Sequence, residues 1–170
     1  APAAGRPTPP LVVAAARALV QPTLAPEEFA RAYQTIRPGM DLPLEETVAR
    51  WVDAIILSRE DVGGDEDYIN RLAAAARLLV VTDGYHGAVL YEQGQGRRVP
   101  PRPAREVDPT GAGDVFATAF LIRLAETGAP FESVRYANVV ASMSVEAPGI
   151  AAIPYRDQVD AWLAQEEMTP

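Results

Sequence analysis

The sequence predicts an α/β fold, a mostly parallel sheet flanked by helices, and three observations predict it. Two apolar runs, Ala54-Ile55-Ile56-Leu57 and Leu78-Leu79-Val80-Val81, show no polar alternation. That is the pattern of strands buried on both faces of a parallel sheet. Between them, Glu66 to Arg77 sets Tyr68, Ile69, Leu72 and Ala76 on one helical face. Strand, helix and strand within about thirty residues make a βαβ unit. From Asp114 onward the periodicity is helical almost to the C-terminus.

Taken in order, Ala1 to Pro10 carries four Pro and one Gly and reads as an irregular arm. Leu11-Val12-Val13-Ala14 fits either a short buried strand or the start of a helix. Pro26-Glu27-Glu28 opens a helix that runs to about Arg37, because Pro suits the first turn and acids suit the helix dipole. A second helix, from about Pro43 to Val52, carries Leu44, Val48 and Trp51 at helical spacing. After the βαβ unit, Ala88 to Tyr91 and Arg98-Val99 flank Gln93-Gly94-Gln95-Gly96, a hairpin signal. Helices then follow over Asp114 to Thr127, about Phe131 to Glu146, and Tyr155 to Gln165. No linker divides the chain, so 170 residues are expected to form one domain over 1–170.

Composition excludes several chemistries. All 15 basic residues are Arg, and 23 acidic residues leave a net charge of −8. Without Lys there is no Walker-type phosphate loop and no Schiff-base enzyme. Without Cys there is no disulfide, thiolate nucleophile or Cys-based zinc site. The single His, His86, rules out multi-His metal centres. Acidic balance argues against nucleic-acid binding, which depends on phosphate neutralisation. No run reaches the roughly 18 apolar residues of a membrane helix, and Leu11 to Val20 lacks a secretory pattern. A cytoplasmic location, with no membrane or nucleic-acid partner, is the expectation.

The sharpest local feature is Asp108-Pro109-Thr110-Gly111-Ala112-Gly113-Asp114, set directly before an apolar helix. Small residues at a helix N-terminus let backbone N–H groups approach an anion. An Asp at the same point would repel a bound phosphate. The combination makes sense if Asp114 takes a proton from a hydroxyl while the amides hold transferring phosphoryl oxygens. A Gly-rich turn with Asp114 as an ordinary helix-start acid accounts for the motif alone equally well. Elsewhere plainer readings lead. His86 between glycines is an exposed or nucleotide-flanking residue, and Trp51 and Trp162 belong to apolar helix faces. Arg97, Arg98, Arg102 and Arg105 form a solvated edge, and Glu60 to Asp67 a solvated face.

Val107 to Phe116 as a whole closely resembles the C-terminal signature of the ribokinase-like carbohydrate kinase family, often called PfkB. Val80-Val81-Thr82-Asp83-Gly84-Tyr85-His86-Gly87 is similar to its strand and T-x-G-x-x-G nucleotide segment. Ala137-Asn138 with Ser142 resembles its Ala-Asn helix beside the base. The ordered set spans roughly Ala54 to Ile153. The resemblance implies an ATP-dependent kinase acting with Mg²⁺ on a sugar, polyol or nucleoside hydroxyl. It implies Asp114 as the base and Gly111, Ala112 and Gly113 as the anion hole. Thr82, Gly84 and Gly87 would line the nucleotide channel, with Thr110 in the phosphate loop and Asn138 and Ser142 near the base. Asp108 would hold the loop or reach the metal region.

This chain departs from the family in three places. Ser58-Arg59-Glu60-Asp61 stands where the family shows Asn-x-x-Glu, so Asp61 keeps the carboxylate of a water-mediated Mg²⁺ role. Pro109 replaces a usual Thr and stiffens the approach. The only Gly-Gly, Gly63-Gly64, does not match the family's N-terminal sugar-binding signature. The expectation is therefore an N-terminally truncated member, with the nucleotide and catalytic half but without the first strands and lid. Such a chain is either the kinase or a non-catalytic nucleotide-binding or interaction protein derived from it. Self-association is left open.

Overall fold

The computed structural model describes residue 49, residues 52–149 and residues 151–167. The N-terminal arm, the Leu11-Ala14 segment, the helix over 26–37, most of that over 43–52 and Trp51 lie outside these residues. Ala49 is helical and fully buried, and Val52 already lies in a bend.

The βαβ unit forms where the apolar runs place it. Strand β1 (Ile55–Ser58) pairs in parallel with β2 (Leu78–Thr82), Ile55 opposite Leu79 and Ser58 opposite Thr82. Between them, α1 spans Glu66–Ala75. Its N-cap is Asp65, whose Oδ1 accepts the Tyr68 N–H at 2.9 Å. Glu66 and Asp67 then occupy the first turn, where negative charge is favoured. The helix ends at Ala75, with Ala76 as its C-cap, two residues short of the Arg77 limit the periodicity suggests.

Strands β3 (Ala88–Glu92) and β4 (Gln95–Val99) form the hairpin. The turn is only Gln93-Gly94, both at positive φ (52° and 81°), the two-residue geometry that matches strand twist. Gln95 and Gly96, expected in the turn, begin β4 instead. The strand order is β1-β2-β3-β4. The α/β class holds, but among the described residues the sheet is mixed rather than mostly parallel. The hairpin lies beside β2 and adds two antiparallel pairings to the single parallel one.

Three helices complete the fold: α2 (Ala112–Thr127), α3 (Pro130–Ser144) and α4 (Arg156–Glu167). Gly128, at φ 65°, ends α2 by donating to the Leu124 carbonyl, and Pro130 starts α3 at a position that needs no N–H. Alternation along β2 then explains the two cores. Val80 joins Leu90, Val99, Phe116, Phe120, Val134 and Val159 on the face covered by α2, α3 and α4. Leu79 and Val81 join Ile69, Leu72, Ala73 and Ala49 on the face covered by α1. Each fully buried Val, Leu, Ile or Phe in these cores contributes about 1.5–3 kcal/mol. Trp162 packs against the first core but is only partly buried.

Candidate active site

The sheet register collects one set of predicted residues at a single edge. Ser58 lies opposite Thr82, Thr82 opposite Ala88, and Ala88 opposite Val99. The carboxyl ends of β1, β2 and β4 therefore share an edge, where open α/β sheets place their ligands. The turn after β1 carries Asp61, which is exposed. That turn is joined to its neighbour by the Arg59 amide, which donates to the Thr82 carbonyl at 2.8 Å. The Arg59 side chain pairs with Glu66 and lies 3.5 Å from Asp83 Oδ2. His86 Nδ1 stands 3.6 Å from the same oxygen. Arg59 and Asp83 were not singled out by the sequence, and no spacing signals their meeting.

Each residue of the T-x-G-x-x-G segment has a distinct local role. Thr82 Oγ1 donates to the Leu57 carbonyl at 3.4 Å. Gly84, at φ 50°, opens a short 3-10 turn (Gly84–His86) whose Tyr85 is 81% exposed. Gly87 is buried at φ 88°, and a Cβ there would stand 2.4 Å from the Val99 carbonyl oxygen. Glycine is thus required at 87 by close packing under the end of β4, independently of any ligand.

The second set gathers around the start of α2. Asp108 uses both carboxylate oxygens on backbone amides: Oδ1 accepts from Thr110 and Oδ2 from Gly149, each at 3.0 Å. The Gly149 bond foremost, and then Thr110, hold the Asp108 carboxyl below the usual carboxylate range. The Val107 and Asp108 amides donate to the Val145 carbonyl at 2.8 and 3.1 Å. Pro109 then turns the chain, and its carbonyl accepts from Ala112. Gly111 is the N-cap of α2 at φ 79°, a left-handed conformation that glycine adopts without penalty. It offers no capping side chain, and among the described residues nothing accepts from the Gly113 and Asp114 amides. The exposed Asp114 carboxylate sits in the same first turn. One helix end therefore presents free N–H donors and one carboxylate.

Helix α3 links the two sets. Asn138 is buried, and its Nδ2 donates to the Val99 and Pro100 carbonyls at 3.0 and 3.1 Å. Ser142, one turn further on, is half-buried, and α3 ends beside Val145, to which the Asp108 segment is bonded. Of the arginines read as a solvated edge, three are not simply solvated: Arg98 Nη2 donates to the His86 carbonyl at 3.2 Å. Arg97 lies 3.3 Å above the Phe131 ring, and Arg102 pairs with Glu146 at 3.0 Å with only 19% of its side chain exposed. A separate pocket of 160 Å³ between the end of β4, α3 and α4 is lined by Val99, Phe131, Val139 and Trp162 among others. None of the predicted site residues lines it.

A sheet edge and a glycine-led helix start, joined by one helix, organise the candidate site of this α/β protein. The model of the pfkB family carbohydrate kinases matches residues 17–156, and the chain belongs to that family. It is 34% identical over 122 residues to a fructokinase of Klebsiella pneumoniae, an alignment covering 63% of this chain and 40% of that one. It is 38% identical over 95 residues to a ribokinase of Bacillus subtilis, covering 55% of this chain and 32% of the relative. Among solved structures, Arabidopsis thaliana ribokinase complexed with ribose and ATP superposes with a TM-score of 0.62 at 25% identity. That match covers 80% of this chain and 51% of the other. The chain thus spans about 40% or less of these two curated relatives and about half of the solved structure.

Proposed function

We propose that this chain carries the nucleotide-binding and catalytic part of an ATP-dependent phosphotransferase. The acceptor is a hydroxyl of a sugar, polyol or nucleoside. The observation that carries the reading is the α2 N-terminus, where unpaired Gly113 and Asp114 amides and the Asp114 carboxylate share one exposed turn. Amides fixed by the helix stabilise charge on the migrating phosphoryl group without reorganisation. Asp114 accepts the proton of the attacking hydroxyl, and Gly111 to Gly113 surround the phosphoryl oxygens. Thr82, Gly84 and Gly87 shape the channel at the sheet edge, Thr110 continues the phosphate loop, and Asn138 and Ser142 flank the base. Asp108 holds the loop.

Among the described residues no three metal-ligating side chains converge. Mg²⁺ is commonly held by one or two carboxylates together with substrate phosphates and water. Asp61, exposed at the sheet edge, would contribute the carboxylate; the ion neutralises phosphate charge when bound. The relatives named fructokinase and ribokinase support a sugar acceptor, and a cytoplasmic setting goes with use of ATP. No helix among the described residues is long and apolar enough to cross a membrane.

The test is calorimetry with Mg·ATP together with an ADP-release assay across sugars, polyols and nucleosides. Acceptor-dependent ADP release is the expected result. Binding without any such release would favour a non-catalytic nucleotide-binding protein, and absence of binding would contradict both.

A further inference from the structure

The stretch Pro100 to Thr110 has no regular secondary structure, yet it delivers the anion loop to the start of α2. It is fastened by two carboxylates reaching in opposite directions. Glu146, in the turn after α3, accepts from Arg102 Nη1 at 3.0 Å and from the Arg105 amide at 3.4 Å. Asp108 reaches back and accepts from Gly149, three residues beyond Glu146. The Val145 carbonyl, which takes the Val107 and Asp108 amides, lies between the two. Arg102 Nε is buried without a hydrogen-bond partner, so the guanidinium depends on Glu146 for compensation of its charge.

We propose that Glu146 and Asp108 form a reciprocal carboxylate latch, and that Glu146 is thereby a positioning residue for phosphoryl transfer. The consequence for transfer rests on the kinase reading above; the latch itself does not. Locking residues 102–110 to the turn after α3 sets where the Gly111 to Gly113 amides stand relative to Asn138 and Ser142 on that helix. Small displacements of such donors are costly to catalysis. Neither the acidic side chain at 146 nor its partners lie in the motif, so spacing does not reveal them.

The latch is tested by amide hydrogen exchange on the full chain without nucleotide, comparing the parent with Glu146→Ala and Glu146→Gln. Glu146 sits in a turn with 34% of its side chain exposed, so both variants should fold. In Glu146→Ala, exchange should rise at least about tenfold at Arg105, Asp108 and Gly149 and stay unchanged in β2 and β3. Glu146→Gln keeps an acceptor oxygen for the Arg105 amide but not the charge facing Arg102, and should restore part of the protection. Unchanged exchange at those amides, or a uniform rise through the sheet, would overturn the latch. Where the parent chain turns over, Glu146→Ala should lower kcat about tenfold with little change in nucleotide KM, and Glu146→Gln should recover part of that loss. A parent that binds no Mg·ATP would count against the kinase reading while the exchange result still judges the latch.

Discussion

Two glycines of the candidate site are glycine for different physical reasons. At Gly111 the conformation is left-handed and a Cβ would meet nothing within 4 Å. Gly111→Ala should therefore cost about 1 kcal/mol of stability, the ordinary penalty of that conformation. At Gly87 a Cβ would collide with the Val99 carbonyl and with Pro101. Gly87→Ala should cost about 3 kcal/mol or more, from backbone strain and overpacking together. Urea unfolding of the two variants measures both. Asp108 supplies a pH signature at the same scale. Its carboxyl titrates lower in the folded state than in the unfolded chain. The stability it contributes is present above the unfolded carboxylate value and is lost as pH falls through the lower folded value. Stability measured from about pH 5 to about pH 2 should fall less steeply in Asp108→Asn than in the parent.

At the scale of elements, the decisive join is between α3 and the end of β4. Asn138 makes it with one buried amide nitrogen and two carbonyls. Asn138→Leu leaves both oxygens without this donor and should destabilise the protein by about 1–3 kcal/mol, read as a lower midpoint of unfolding. It should also loosen the sheet edge, because Val99 packs over Gly87. Strand β2 and helix α1 were legible in the sequence because burial on two faces and one-sided helix burial leave clear patterns; β1 carries the same apolar run, although its four residues are only partly buried. The hairpin was legible only approximately. Gln93-Gly94 suffices for the turn, and the exposed Gln95 and Gly96 carry no hydrophobic mark of a strand. The pairing direction at the sheet's far side follows from that turn, so the sheet became mixed where apolar runs alone suggested parallel.

At the scale of the molecule, the motif residues fall into an edge set and a helix-start set, bridged by α3. Their order along the chain was readable, as was the helix start at Gly111 to Asp114, because small residues before an apolar helical run mark a helix N-terminus in the local sequence. The bonds that join the sets were not. Arg59 to Asp83, Asn138 to Val99 and Glu146 to Arg102 connect residues 24 to 44 positions apart. No periodicity encodes such pairs. Asp108 illustrates the difference: its place in the motif suggested loop or metal, and its two amide partners favour the loop.

The central claim is that Asp114 acts as a base on a helix end that binds phosphate through its backbone. The most direct measurement is acceptor-dependent ADP release by the parent and by Asp114→Asn, alongside Mg·ATP affinity for each. A kinase of this design predicts a loss in turnover of about 100-fold or more, with affinity essentially retained. Comparable turnover by the two proteins would contradict it.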